Sequence, residues 1–169
     1  MTRLLSAAVL IAIILATLWL APAWATVALA AAAAAGAAVE LALLARATGA
    51  GVSPVFLAGA AAVVCVAFAM DAMPGSQTGE VLILVLLAGV VGAGMMTLAT
   101  GAPAPATIAR AGVAFMAPLY VGLPLGALAA VRVRSGTEPV LLLLLMVAVS
   151  DSAQYYTGRL LGRHKLAPP

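Results

Sequence analysis

Six apolar runs divide this chain, and four of them contain no charged residue. The runs are Leu4–Leu20, Thr26–Leu44, Pro54–Met70, Val81–Thr100, Ala111–Val131 and Val140–Thr157; the other two hold one carboxylate each, Glu40 and Asp151. Each is close to the roughly 20 residues that carry an α-helix across a ~30 Å hydrocarbon layer. Between them stand residues that break helices or favour water: Ala21-Pro22, Thr48-Gly49-Ala50-Gly51, Asp71 to Glu80 with Pro74-Gly75, Gly101 to Arg110 with two prolines, and Arg132 to Pro139. Only 8% of the 169 residues are charged and 66% are hydrophobic, whereas a soluble domain carries roughly 25% charged residues. Too little charge is present to cover a water-facing surface, so lipid must be the solvent for most of it. The expected fold is all-α: a polytopic transmembrane helix bundle of about six spans, forming one integral membrane domain over 1–169.

The few charges then orient the bundle. With the N-terminus cytoplasmic, Arg3, Arg46, Arg110, Arg159, Arg163 and Lys165 fall inside, and only Arg132 and Arg134 fall outside. That asymmetry is the one cytoplasmic loops show, and it makes both termini cytoplasmic. The Asp71–Glu80 loop falls outside. Arg3, the first apolar stretch and Ala23-Trp24-Ala25 also resemble a cleavable signal peptide, but the apolar stretch is long for one. A net charge of +3 scattered between apolar runs makes no basic stripe, which excludes nucleic acid as a partner. The single cysteine, Cys65, lies inside an apolar run, cannot form an internal disulfide, and reads as a small buried hydrophobe.

Charges at membrane depth need a physical reason. Glu40, near the cytoplasmic end of the second run, either reaches the interface, pairs with Arg46, or faces a substrate inside the bundle. Asp151 is more informative. On a helix, Gln154, Tyr155, Gly158 and Arg159 follow it at three, four, seven and eight residues and share its face, so the sixth span turns polar on one side as it reaches the cytoplasm. One reading is structural, an Asp151–Arg159 pair with Tyr155 as an interfacial anchor. The other is a polar cavity that holds a cation or a phosphate, followed directly by the basic cluster Arg159, Arg163, His164 and Lys165. That cluster could equally fix topology or touch anionic headgroups. His164 stands alone and receives no role. No phosphate-binding glycine loop, His-Glu zinc motif or Ser-His-Asp pattern is present.

The stretch Ser150-Asp151-Ser152-Ala153-Gln154-Tyr155-Tyr156-Thr157-Gly158-Arg159-Leu160-Leu161-Gly162-Arg163-His164-Lys165-Leu166-Ala167-Pro168 resembles the phosphatidate cytidylyltransferase (CDP-diacylglycerol synthase) family. The family pattern is close to Asp-x-x-Ala-Tyr-x-x-Gly-Arg-x-x-Gly-Lys-His-Lys-Leu-Ala-Pro. Arg3 opening an apolar helix, Glu40 closing the second span, and Tyr120-Val121-Gly122-Leu123-Pro124-Leu125 are also similar to that family. Tyr155-Tyr156 stands where the family has Ala-Tyr followed by another aromatic. Family members continue past this motif with a Ser-Pro-Lys-Lys-Thr-like segment, further helices and a C-terminal signature thought to supply carboxylates to the catalytic metal. The chain is therefore expected to be an N-terminal portion that lacks that signature and is inactive alone.

The resemblance implies transfer of CMP from CTP to phosphatidate, giving CDP-diacylglycerol and pyrophosphate, in phospholipid biosynthesis. It implies Mg²⁺ as cofactor, with Asp151 as the catalytic and metal-organising carboxylate and Arg159 and Lys165 as phosphate-binding groups. CTP, phosphatidate and membrane lipid are the implied partners, with a homodimer in the inner (plasma) membrane, crossed several times. Phosphate clamps suit these residues: arginine presents a planar fork and lysine a point charge. Two other classes remain open, a non-enzymatic transporter-like membrane protein and a catalytically dead scaffold or dimer partner.

Overall fold

The structure, a computed structural model, describes residues 2–76, 79–99 and 106–161. Among these residues six helices follow one another: α1 (Thr2–Leu20), α2 (Ala23–Ala47), α3 (Pro54–Asp71), α4 (Glu80–Ala99), α5 (Thr107–Ser135) and α6 (Thr137–Leu161). No strand occurs among the described residues. Five of these, α2 to α6, are long and apolar enough to cross a membrane, and α1 adds a shorter apolar stretch over Ala8–Leu20. The all-α polytopic bundle expected from the apolar runs is the fold observed.

Local chemistry sets the helix ends. Ser53 precedes Pro54, and its hydroxyl accepts the Phe56 N–H at 3.4 Å; serine at the cap and proline at the first helical position are the preferred pair. The loop expected over Arg132–Pro139 contracts to one residue. α5 runs on to Ser135 and α6 begins at Thr137, so the reversal falls on Gly136 at φ +87°. Only glycine enters that region without strain. The two arginines stay helical because their side chains find acceptors across the bundle. Arg132 Nη2 donates to the Leu18 carbonyl at 3.2 Å, and Arg134 Nη2 donates to the Asp71 carbonyl at 3.5 Å.

Three helices, α2, α3 and α5, form the centre, with the most extensive contact between α3 and α5. Lipid tails are as apolar as leucine, so association in a membrane relies on close packing rather than on removal of apolar surface from water. The centre is accordingly built from small residues. Ala34, Ala38 and Ala42 recur every fourth residue on α2 and are fully buried. On α5, Gly122 and Gly126 let the backbone approach α3, because a Cβ at either position would lie 2.8 Å from Ala61 O or Phe68 Cβ. Cys65 is fully buried at this crossing, as its apolar setting indicated. Pro118 and Pro124 lie inside α5, where each removes a backbone donor that neighbouring helices in a membrane can compensate.

The ends of the helices gather at two poles. One holds the C-terminal ends of α1, α3 and α5 with the starts of α4 and α6, as the Leu18–Arg132, Leu18–Thr137 and Asp71–Leu82 contacts show. At the other, the end of α2 meets the early turns of α5 around a groove lined by Leu44, Thr48, Val113 and Tyr120. Up-and-down connectivity of this kind is what short loops between membrane spans impose.

Candidate functional site

α6 begins inside the bundle and leaves it. Val140 is fully buried and Leu144 still lines a small apolar cavity with Leu125 and Leu128 of α5. From Leu145 to Leu160 every residue is exposed. The polar face anticipated on this helix forms as spaced: the helix is unbroken to Leu161, so Asp151, Gln154, Tyr155, Gly158 and Arg159 follow one another along one side.

The contacts on that face are local. Gln154 Nε2 donates to Ser150 Oγ at 3.0 Å, and Tyr155 packs edge-on against Tyr156 with ring centroids 5.4 Å apart. Among the described residues, Asp151 and Arg159 make no hydrogen bond or ion pair with each other or with another group. The structural reading of the two as a compensating pair is therefore not realised: eight residues along a helix separate them by ~12 Å of rise. Lys165, Arg163 and His164 lie outside the described residues. Glu40 is exposed on α2 and does not pair with Arg46; six residues on a helix turn the two side chains ~120° apart.

The cation implied by the resemblance can be tested against these groups. No cluster of three or more His, Cys, Asp or Glu occurs among the described residues, so no closed protein cage is available there. Asp151 alone suits a cation that takes its remaining ligands from nucleotide phosphates and water, as Mg²⁺ commonly does. The exposed carboxylate fits that role and no stricter one.

Asp71 was legible only as an acid in an outside loop. The structure makes it the last residue of α3, 8% exposed, with Oδ2 accepting the Leu82 N–H of α4 at 2.9 Å. The one sequence signal for this was its place at the end of an apolar run, one turn-forming loop before the next.

An all-helical, multi-pass membrane protein whose last described helix presents a carboxylate, an amide and a guanidinium on one face is the class that fold and site define. The chain belongs to the cytidylyltransferase family, whose family model matches residues 1–169. No curated protein and no solved structure matches it.

Proposed function

We propose that the protein acts in the transfer of CMP from CTP to phosphatidate, giving CDP-diacylglycerol and pyrophosphate for phospholipid biosynthesis. The observation that carries this reading is the open polar face of α6, Asp151 to Arg159, which leads straight into the Arg163-His164-Lys165-Leu166-Ala167-Pro168 motif. In the reaction an oxygen of the phosphatidate phosphate attacks the α-phosphorus of CTP. The bond from that phosphorus to the oxygen bridging the β-phosphorus breaks, and pyrophosphate leaves with the electron pair.

Such transfers are catalysed chiefly by positioning and by neutralising phosphate charge. Arg159 and Lys165 would hold phosphate oxygens, and Asp151 would hold Mg²⁺. When bound, the cation supplies charge neutralisation at the nucleotide phosphates. The exposure of the Asp151 face leaves room for further ligands from a second surface, either a second copy in a homodimer or additional polypeptide. The membrane placement suits a substrate whose acyl chains stay in the bilayer while its phosphate stands at the interface. The inner (plasma) membrane is the proposed location.

Detergent-solubilised protein given CTP, Mg²⁺ and phosphatidate, with and without a family C-terminal half supplied in trans, tests the reading. Pyrophosphate release that requires both phosphatidate and Asp151 supports it. No release in either arm, together with no CTP·Mg²⁺-dependent stabilisation of the chain, refutes it and favours a scaffold.

A further inference from the structure

At the pole away from Asp151, α3, α4 and the end of α5 enclose an open cavity of about 430 Å³. Its walls include Phe68, Asp71, Leu82, Val131, Arg134 and Ser135. Asp71 makes three contacts there. Its Oδ2 accepts the Leu82 N–H, its backbone carbonyl accepts Ser76 Oγ at 2.8 Å, and that carbonyl also accepts Arg134 Nη2 at 3.5 Å. Its Oδ1 is buried and has no donor among the described residues.

Helix capping explains one carboxylate oxygen and leaves the other unexplained. A carboxylate at the start of α4 is favoured by the helix dipole, and one N–H bond at Oδ2 serves that purpose. A second oxygen buried without a donor is costly. The guanidinium lining the same cavity does not satisfy it: Arg134 reaches the Asp71 carbonyl, yet the two side chains make no ion pair. A carboxylate and a guanidinium thus share one cavity while remaining apart.

We propose that this cavity binds the headgroup of a phospholipid that carries a primary ammonium. The lining shifts to admit the headgroup, whose ammonium then donates to Asp71 Oδ1 while its phosphate oxygens accept from Arg134. An anion alone would meet the carboxylate, and a cation alone would meet the guanidinium; a zwitterion answers both. A divalent metal is poorly served by one carboxylate. The apolar wall of Phe68, Leu82 and Val131 suits acyl chains, which favours a lipid over a soluble zwitterion. A quaternary ammonium offers Oδ1 no N–H, so the site distinguishes amine headgroups from trimethylated ones. None of this depends on the chemistry proposed at Asp151.

Native mass spectrometry of the detergent-purified chain, titrated with phosphatidylethanolamine, phosphatidylcholine and phosphatidylglycerol of matched acyl chains and with free phosphoethanolamine, tests the site. One charge-assisted hydrogen bond should favour phosphatidylethanolamine over phosphatidylcholine by about tenfold. Asp71→Asn should abolish that preference, and Arg134→Gln should weaken phosphatidylethanolamine and phosphatidylcholine alike. Arg134 is exposed, so Arg134→Gln remains informative if Asp71→Asn disturbs the α4 cap and fails to fold. Equal binding of ethanolamine and choline lipids by the unaltered chain would overturn the proposal, as would unchanged lipid binding in Arg134→Gln. Free phosphoethanolamine binding as tightly as the lipid would refute the choice of a lipid occupant.

Discussion

Replacing Gly126 with alanine should loosen the centre of the bundle, and the structure sets the size of the effect. A Cβ at that position would lie 2.8 Å from Phe68 Cβ, 2.9 Å from Cys65 O and 3.1 Å from Cys65 Cα. Two of those atoms belong to the α3 backbone and cannot rotate aside. Ordinary carbon contacts lie near ~3.5–4.0 Å, so α3 and α5 would have to part by roughly 0.5–1 Å. Overpacking of this kind costs about 1–3 kcal/mol. Alanine returns about 0.5–1 kcal/mol through its better helix propensity. The net loss should be about 1–2 kcal/mol, or roughly a 5–30-fold rise in the unfolded fraction. Gly36 and Gly94 provide the contrast, because a Cβ at either meets nothing within 4 Å. Gly36→Ala and Gly94→Ala should be neutral or stabilising. Unfolding in mixed micelles, followed by circular dichroism or steric trapping, measures all three. A Gly126→Ala protein as stable as Gly94→Ala would show that α3 and α5 are not held as closely as described.

Four further outcomes follow from the same geometry. Asp151→Asn, in whichever preparation of the protein releases pyrophosphate, should nearly abolish that release without changing expression, because the substitution keeps shape and removes charge; unaltered turnover would remove Asp151 from the proposed site. Arg159→Ala in that protein should raise the apparent KM more than it lowers kcat, and steady-state kinetics with varied CTP and phosphatidate distinguishes the two. For topology, Met73→Cys should react with a membrane-impermeant thiol reagent from outside intact cells while Leu160→Cys should not; both side chains are exposed and Cys65 is fully buried, so reversed labelling would invert the bundle. Finally, Arg132→Met combined with Thr137→Val removes both donors to the Leu18 carbonyl, and hydrogen exchange in nanodiscs should show the end of α1 opening more readily by about 1–3 kcal/mol.

The helices were legible because lipid reduces the choice of backbone structure. A run such as Val81–Thr100 with no charge has few alternatives to a spanning helix, and α4 (Glu80–Ala99) follows it nearly residue for residue. The Arg132–Pro139 segment misled for an equally physical reason. Two arginines, a glycine and a proline read locally as a loop, whereas the arginines are held by carbonyls from Leu18 and Asp71. Those partners are distant in sequence, and periodicity carries no record of such a contact. Packing partners were hidden in the same way: Gly122 and Gly126 share a helix face by spacing alone, but only the fold shows that α3 fills the space they leave.

The two aspartates at the membrane boundaries show why site and scaffold separate so unevenly in the sequence. Asp151 stands out because its neighbours at helical spacing are polar and because a specific motif follows it. Asp71 looked like an ordinary loop acid, having no polar neighbour three or four residues away in either direction. In the structure their surroundings are reversed. Asp71 is buried and bonded to α4, and Asp151 is exposed and bonded to nothing among the described residues. A carboxylate that stabilises a fold spends its acceptors inside the chain, which places it in long-range contacts that sequence spacing does not encode. A carboxylate that organises a ligand must keep its acceptors open, and the residues that assist it share its helix, where spacing does encode them. The exposure of Asp151 is therefore the state its proposed role requires, while the one unspent oxygen of Asp71 marks the place where a structural residue has capacity left for a ligand.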